Sequence, residues 1–138
     1  MAVQAFVVED NPAIRTSLIE ALAELAGIET AGVAGTEPAA VAWLTDPANT
    51  WDIAVVDLGL GSAKGSGSGF GVLGALQHRR PDQKMVVLTG LATPQIRQRC
   101  EQLGANGIFD KSLETEALLD YCMALARQKG NETPQSAR

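Results

Sequence analysis

Residues 52–58 read Asp52-Ile53-Ala54-Val55-Val56-Asp57-Leu58. Four apolar residues sit between two aspartates, with no polar alternation. A run this short, continuous and β-rich predicts a strand buried on both faces, and Asp57 falls at its end. Three more runs have the same character: Ala5-Phe6-Val7-Val8, Met85-Val86-Val87-Leu88 and Gly107-Ile108-Phe109. Residues 28–34 give a weaker second strand.

Helical patterns fill the gaps. Asn11 then Pro12 supplies an N-cap and a first-turn proline, and Ile14, Leu18, Leu22 and Leu25 follow at helical spacing until Gly27 stops the helix. Thr36 caps a short helix ending at Leu44, before Asp46-Pro47. Phe70, Leu73 and Leu76 carry a third helix, closed off by Pro81. Pro94 opens a fourth with Ile96, Cys100 and Leu103 inward. Ser112 is the expected cap of a fifth, on which Leu118, Cys122 and Leu125 repeat at i, i+4 and i+7. From residue 130 the chain is polar, and residues 130–138 are expected to be a disordered tail beyond a single domain of residues 1–129.

Five strands alternating with five helices imply an α/β, doubly wound parallel sheet with right-handed crossovers. Such a sheet presents its ligand site beyond the C-terminal strand ends, at the switch point of strand order. The ends carry Glu9-Asp10, Asp57, Thr89 and Lys111, far apart in sequence and brought to one edge by the topology. Three crowded carboxylates repel one another, and a hard divalent cation relieves this. Mg²⁺ takes oxygen ligands at about 2.0–2.1 Å and keeps several waters. A lysine and a threonine hydroxyl beside it suit a transferring phosphoryl group. Asp57 is the natural nucleophile, because a carboxylate can form an acyl phosphate.

Composition agrees. The 138 residues are 46% apolar and 20% charged, so a packed globular domain is expected rather than a disordered chain. The net charge of −5 argues against a nucleic-acid-coating or membrane-surface protein. Cys100 and Cys122 form no CxxC and His78 is the one histidine, which excludes a disulfide framework and a Cys/His zinc site. A reduced, cytoplasmic setting fits. No apolar run approaches the ~18 residues of a membrane span. Residues 2–8 run straight into Glu9-Asp10, as a first strand does and a signal peptide does not.

The words VVEDN (residues 7–11), DIAVVDL (52–58), MVVLTG (85–90) and GANGIFDKS (104–112), in this order and on these elements, resemble the receiver domain of bacterial response regulators. The resemblance extends to about Gln128. It implies the flavodoxin-like (βα)5 fold with strand order 2-1-3-4-5. It further implies that Asp57 is the phosphoacceptor and that Thr89 and Lys111 contact the phosphoryl oxygens. Asp10, Glu9, Asp57 and the Gly59 carbonyl would serve Mg²⁺. The phosphate would come from a sensor histidine kinase or phosphotransfer protein, and the output would be altered binding of a downstream protein. Effector work is expected from another chain, since no output domain follows the fifth helix. The chain would catalyse only its own phosphorylation and dephosphorylation.

Four positions depart from the family pattern, one of them Gly90 after Thr89, where alanine is common. Ile108 stands where a ring is usual, which puts the family's coupling of threonine and ring in question. Ser112 stands where proline is usual; a cis bond before a non-proline costs about 2.5–4 kcal/mol, so trans is expected. Gly69, which opens the third helix, comes later after Asp57 than in the family. The inserted Gly/Ser loop, residues 61–68 with Lys64, reads equally as a flap over the site, a partner contact or a tolerated insertion.

Competing assignments are weaker. Gly69-Phe70-Gly71-Val72-Leu73-Gly74 spells GxGxxG, but a dinucleotide site needs that word directly after a strand. An aspartyl phosphatase of the haloacid-dehalogenase type needs a second aspartate two residues after the nucleophile, where this chain has Gly59. A degenerate receiver acting as an unphosphorylated docking module is the alternative that Ile108 and Ser112 keep open. His78 reads as a surface residue, the cysteines as core, and Trp43 and Trp51 as cover for the sheet edge. The face formed by helix four, strand five and helix five is a common dimer or target surface in the family. There one helix offers Gln95, Arg97, Gln98, Arg99 and Gln102 and the next Glu114, Glu116 and Asp120. Their opposite charges suit pairs between subunits, worth about 0–1 kcal/mol each, which assigns no oligomer.

Overall fold

The computed structural model describes residues 3–60, 65 and 67–136, with side chains through Lys129. Five strands, β1 (Gln4–Val8), β2 (Glu29–Ala34), β3 (Ile53–Val56), β4 (Lys84–Thr89) and β5 (Gly107–Asp110), form one parallel sheet in the order β2-β1-β3-β4-β5. The helices are α1 (Pro12–Ala26), α2 (Glu37–Leu44), α3 (Gly69–Ala75), α4 (Pro94–Gln102) and α5 (Thr115–Ser136). This is the doubly wound flavodoxin-like fold expected from the strand pattern.

The alternation of side chains along each strand splits the core in two. Phe6, Val8, Ala54, Val56, Met85 and Val87 face α2, α3 and α4. Ala5, Val7, Ile53, Val55, Val86 and Leu88 face α1 and α5. The three central strands are covered on both sides, which is why their sequences show no polar alternation. On β2, an edge strand, exposed and covered residues do alternate, and its signal is correspondingly weak.

Local chemistry sets most boundaries as the sequence suggests. The Asn11 side chain accepts hydrogen bonds from the Ala13 and Ile14 amides, and Pro12 opens α1. Gly27 closes it at φ 65°, a left-handed conformation that glycine adopts without a Cβ clash. Thr36 and Thr93 cap α2 and α4. Trp51 is buried, donating its indole N–H to the Leu44 carbonyl, while Trp43 stacks on Phe6 with centroids 4.5 Å apart. Both cysteines lie in the core and His78 is exposed.

Two expectations are corrected. On α1 only Leu18 and Leu22 of the helically spaced series are buried; Ile14 is 38% and Leu25 60% exposed. Ser112 does not cap α5. Its amide donates to Asp110 Oδ1, as does the Leu113 amide, so Asp110 takes the turn for itself and the helix begins at Thr115. The backbone of α5 runs on to Ser136. The Lys129 ammonium is held 2.7 Å from Asp52. Arg97 pairs with Glu114 of the same chain and the Arg99 guanidinium lies 3.9 Å above the Phe70 ring. Among the described residues every peptide bond is trans, the one before Ser112 included. The inserted loop, with Lys64, lies largely outside the described residues. No helix among the described residues is long and apolar enough to cross a membrane.

Candidate functional site

Register decides what meets at the C-terminal edge. Val8 pairs with Val56, Val56 with Val87, and Thr89 with Asp110. One residue further along, Glu9 and Asp57 leave adjacent central strands, and Lys111 leaves β5 beside Thr89. The ladder continues into these ends. The Asp57 amide donates to Val8 at 2.9 Å, the Glu9 amide to Ala34 at 2.9 Å, and the Lys111 amide to Thr89 at 2.9 Å. The backbone carrying the charged groups is therefore as fixed as the strands.

Glu9 is 3% exposed and Asp57 7%, a costly place for two carboxylates. Lys111 compensates both. Its ammonium lies 2.9 Å from Glu9 Oε1 and 3.0 Å from Asp57 Oδ2. Burial alone lowers the lysine pKa, but the hydrogen bonds and charges of Glu9 and Asp57 together outweigh it and hold the ammonium above its ordinary value. Backbone amides take two of the remaining oxygens: Asn11 donates to Glu9 Oε2 at 3.2 Å and Gly59 to Asp57 Oδ1 at 3.2 Å. Asp10 is exposed and completes an acidic group in which Glu9, Asp10 and Asp57 each offer an oxygen within 4.8 Å of the others. One ammonium against three carboxylates leaves the cluster net negative. Clustered hard oxygen donors of this kind fit Mg²⁺ or Ca²⁺ better than a softer metal.

Thr89 is buried at the end of β4, its Oγ1 accepting from the Leu91 amide at 3.2 Å. Thr89, Asp57 and Lys111 line one hollow of about 440 Å³, walled by Leu58, Phe70 and Ile96. The structure thus brings Glu9, Asp10, Asp57, Gly59, Thr89 and Lys111 to one edge. Ile108 packs in the partly buried layer against the core on the α4 side.

Two contacts near the site had no signal in the sequence. The Glu37 carboxylate, at the start of α2, accepts the Ser68 amide at 3.0 Å and anchors the far end of the inserted loop, where it enters α3, to α2. Arg97, on α4, donates to the Ala92 carbonyl at 3.1 Å, to the Ile108 carbonyl at 3.1 Å and to the Glu114 carboxylate. Neither pair has helical or strand spacing, so periodicity could not reveal them.

The fold, the strand-end acids and the lysine together define a receiver domain. Residues 5–122 match the family described as the response regulator receiver domain, and the chain belongs to that family. A curated relative from Pseudomonas aeruginosa, described as a "Putative transcriptional regulator", is 32% identical over 118 residues. That alignment takes in 84% of this chain, which spans about half (53%) of the relative's length. Among solved structures, the non-phosphorylated HemR receiver domain from Leptospira biflexa superposes with a TM-score of 0.73 at 27% identity, over 90% of this chain and 94% of that one. A Burkholderia pseudomallei response regulator with a phosphorylated aspartic acid, calcium ion and citrate superposes with a TM-score of 0.72 at 24% identity, over 99% and 75%.

Proposed function

We propose that this chain is a phosphoacceptor switch in which Asp57 takes a phosphoryl group from a phosphohistidine of a sensor histidine kinase or phosphotransfer protein. The observation that carries this is the Lys111 ammonium bridging two buried carboxylates, Glu9 and Asp57, beside an exposed third, Asp10. A Burkholderia response regulator of the same fold carries a phosphorylated aspartic acid and a calcium ion, which supports this reading.

An oxygen of Asp57 forms a bond to phosphorus as the phosphorus–nitrogen bond of the donor breaks. The electron pair returns to the imidazole nitrogen, and a proton keeps that leaving group neutral. The product is a mixed acyl phosphate, which water attack on phosphorus returns to carboxylate and free phosphate. Lys111 would follow the phosphoryl oxygens as negative charge moves onto them, and the Thr89 hydroxyl would donate to another of them. Asp10, Glu9, Asp57 and the Gly59 carbonyl would hold Mg²⁺, whose charge offsets repulsion between the incoming phosphoryl group and the acids. The chain acts on no independent substrate; its output is a change in affinity for a downstream protein, in the cytoplasm. The description of the Pseudomonas relative suggests transcription as the process controlled. With a net charge of −5 this chain would not make the DNA contact itself.

Intact-mass spectrometry after incubation with acetyl phosphate and Mg²⁺ tests the proposal. One added phosphoryl group is expected on the wild type, absent without Mg²⁺ and absent in Asp57→Ala. No adduct, together with no binding of beryllium fluoride, would sink it and leave an unphosphorylated docking module.

A further inference from the structure

Arg97 makes more contacts across element boundaries than its place on a surface helix requires. Its Nε donates to the Ala92 carbonyl in the loop between β4 and α4, and its Nη1 to the Ile108 carbonyl on β5. Its Nη2 pairs with Glu114 at the entry to α5. Glu114 is in turn fixed to the end of β5, since the same carboxylate oxygen accepts the Asp110 amide at 3.1 Å and the Glu114 amide donates to the Asp110 carbonyl at 2.8 Å. One planar guanidinium thus ties together a loop, a strand and a helix start.

Both ends of this assembly touch the candidate site. The loop that Arg97 holds through Ala92 is also held by Thr89, whose Oγ1 accepts the Leu91 amide at 3.2 Å. Asp110, held through Glu114, precedes Lys111, whose amide donates to the Thr89 carbonyl. A threonine hydroxyl that turns toward a phosphoryl oxygen on Asp57 moves its oxygen away from the Leu91 amide. That amide must then find another partner, so the loop shifts and the Ala92 carbonyl shifts with it. Ile108 offers no ring to register such a movement, but its carbonyl is one of the three acceptors on Arg97.

We propose that Arg97 is the positioning residue that couples the Thr89 hydroxyl to the α4–β5–α5 surface, as a clamp that loosens when the hydroxyl leaves the Leu91 amide. This rests on the phosphoacceptor function of Asp57 proposed above. The clamp has two arrangements, closed on Ala92, Ile108 and Glu114 or released from Ala92 and Glu114 so that Glu114 no longer holds the Asp110 amide, and phosphorylation biases the second. A surface that could recruit a partner would thereby be remodelled without an aromatic switch.

Amide hydrogen exchange of the full chain tests this, with intact mass measured on the same samples. In the wild type, acetyl phosphate with Mg²⁺ is expected to speed exchange of the Leu91 and Asp110 amides by roughly tenfold or more. In Arg97→Ala the phosphoryl group should still be gained, but the Asp110 amide should exchange fast in both states and no longer respond. Arg97→Lys keeps the charge but not the three-way geometry, and should not restore the response. Glu114→Gln, which preserves shape, gives the same readout should Arg97→Ala fold poorly, and should weaken the response. A phosphorylated wild type with unchanged Asp110 exchange would overturn the clamp, as would a full response in Arg97→Ala or Glu114→Gln. A wild type that gains no phosphoryl group overturns the phosphoacceptor function and the clamp with it, and the mass distinguishes that case from the others.

Discussion

The Cα of Gly69 packs so closely on the Asp57 peptide that a Cβ there would lie 2.3 Å from the Asp57 carbonyl oxygen. The Gly69 amide also donates to the Leu58 carbonyl at 3.0 Å. The start of α3 is therefore seated on the backbone of the candidate phosphoacceptor, whatever the length of the loop between them. Gly69→Ala should force these two backbones apart, costing about 1–3 kcal/mol as overpacking does, and should slow phosphorylation of Asp57. Gly74→Ala, where a Cβ meets nothing within 4 Å, should instead gain about 0.4–1 kcal/mol. Urea midpoints of the two variants, measured together, check both signs.

Lys111→Met removes the cation from between Glu9 and Asp57 while keeping much of the side-chain volume. Breaking a buried pair costs about 3–5 kcal/mol; with the lysine side chain 24% exposed, about 1–3 kcal/mol is expected. The lysine pKa is raised in the folded state. Its contribution is thus fully present below the ordinary value of 10.5 and is lost as pH rises through the higher folded value. The stability gap between wild type and Lys111→Met should therefore hold from neutral pH to about 10 and close only above that. A gap that closed between pH 7 and 9 would contradict the ion pairs.

The Arg97 hydrogen bond, then the Asp110 amide, hold the Glu114 carboxyl below its ordinary value of 4.5. A depressed carboxyl stabilises the fold above the unfolded value and ceases to do so as pH falls through the folded one. In an NMR titration of the Glu114 side-chain carboxyl, the wild-type midpoint should lie below 4.5 and move upward in Arg97→Ala. The acid limb of unfolding should respond in the same sense: the advantage of wild type over Glu114→Gln disappears below pH 4.5, not near neutrality.

Burial pushes the Cys122 thiol up to about 12 and raises that of Cys100 as well. Thiolate is the reactive form, so neither residue should react with a thiol reagent at pH 8 in the native protein. Both should react at once in denaturant. Rapid labelling of the native chain would mean that the helix faces carrying them open far more often than a packed core allows.

Much of this architecture was legible before any coordinates. Ile53-Ala54-Val55-Val56 announces a doubly covered strand because parallel central strands tolerate no polar face. Asn11-Pro12 and Gly27 mark the limits of α1, since capping depends on residues adjacent in the chain. The meeting of Glu9, Asp10, Asp57, Thr89 and Lys111 follows from one topological fact, that all five parallel strands end at the same edge. Where local signals competed, they misled. Ser112 has the chemistry of a cap, yet Asp110 engages its amide first, and Leu25 keeps the helical period yet is 60% exposed.

The amino-acid sequence by itself determined the strand count, the order of elements and the charged groups at the strand ends, because periodicity, capping and parallel pairing are local or follow from topology. The tertiary structure alone decided that Lys111 bridges Glu9 and Asp57, that Glu37 anchors Ser68, and that Arg97 closes on Ala92, Ile108 and Glu114. These depend on the reach and direction of side chains from elements distant in the chain. A shift of a few tenths of an ångström in helix packing remakes or breaks such contacts, and no spacing along the chain encodes it.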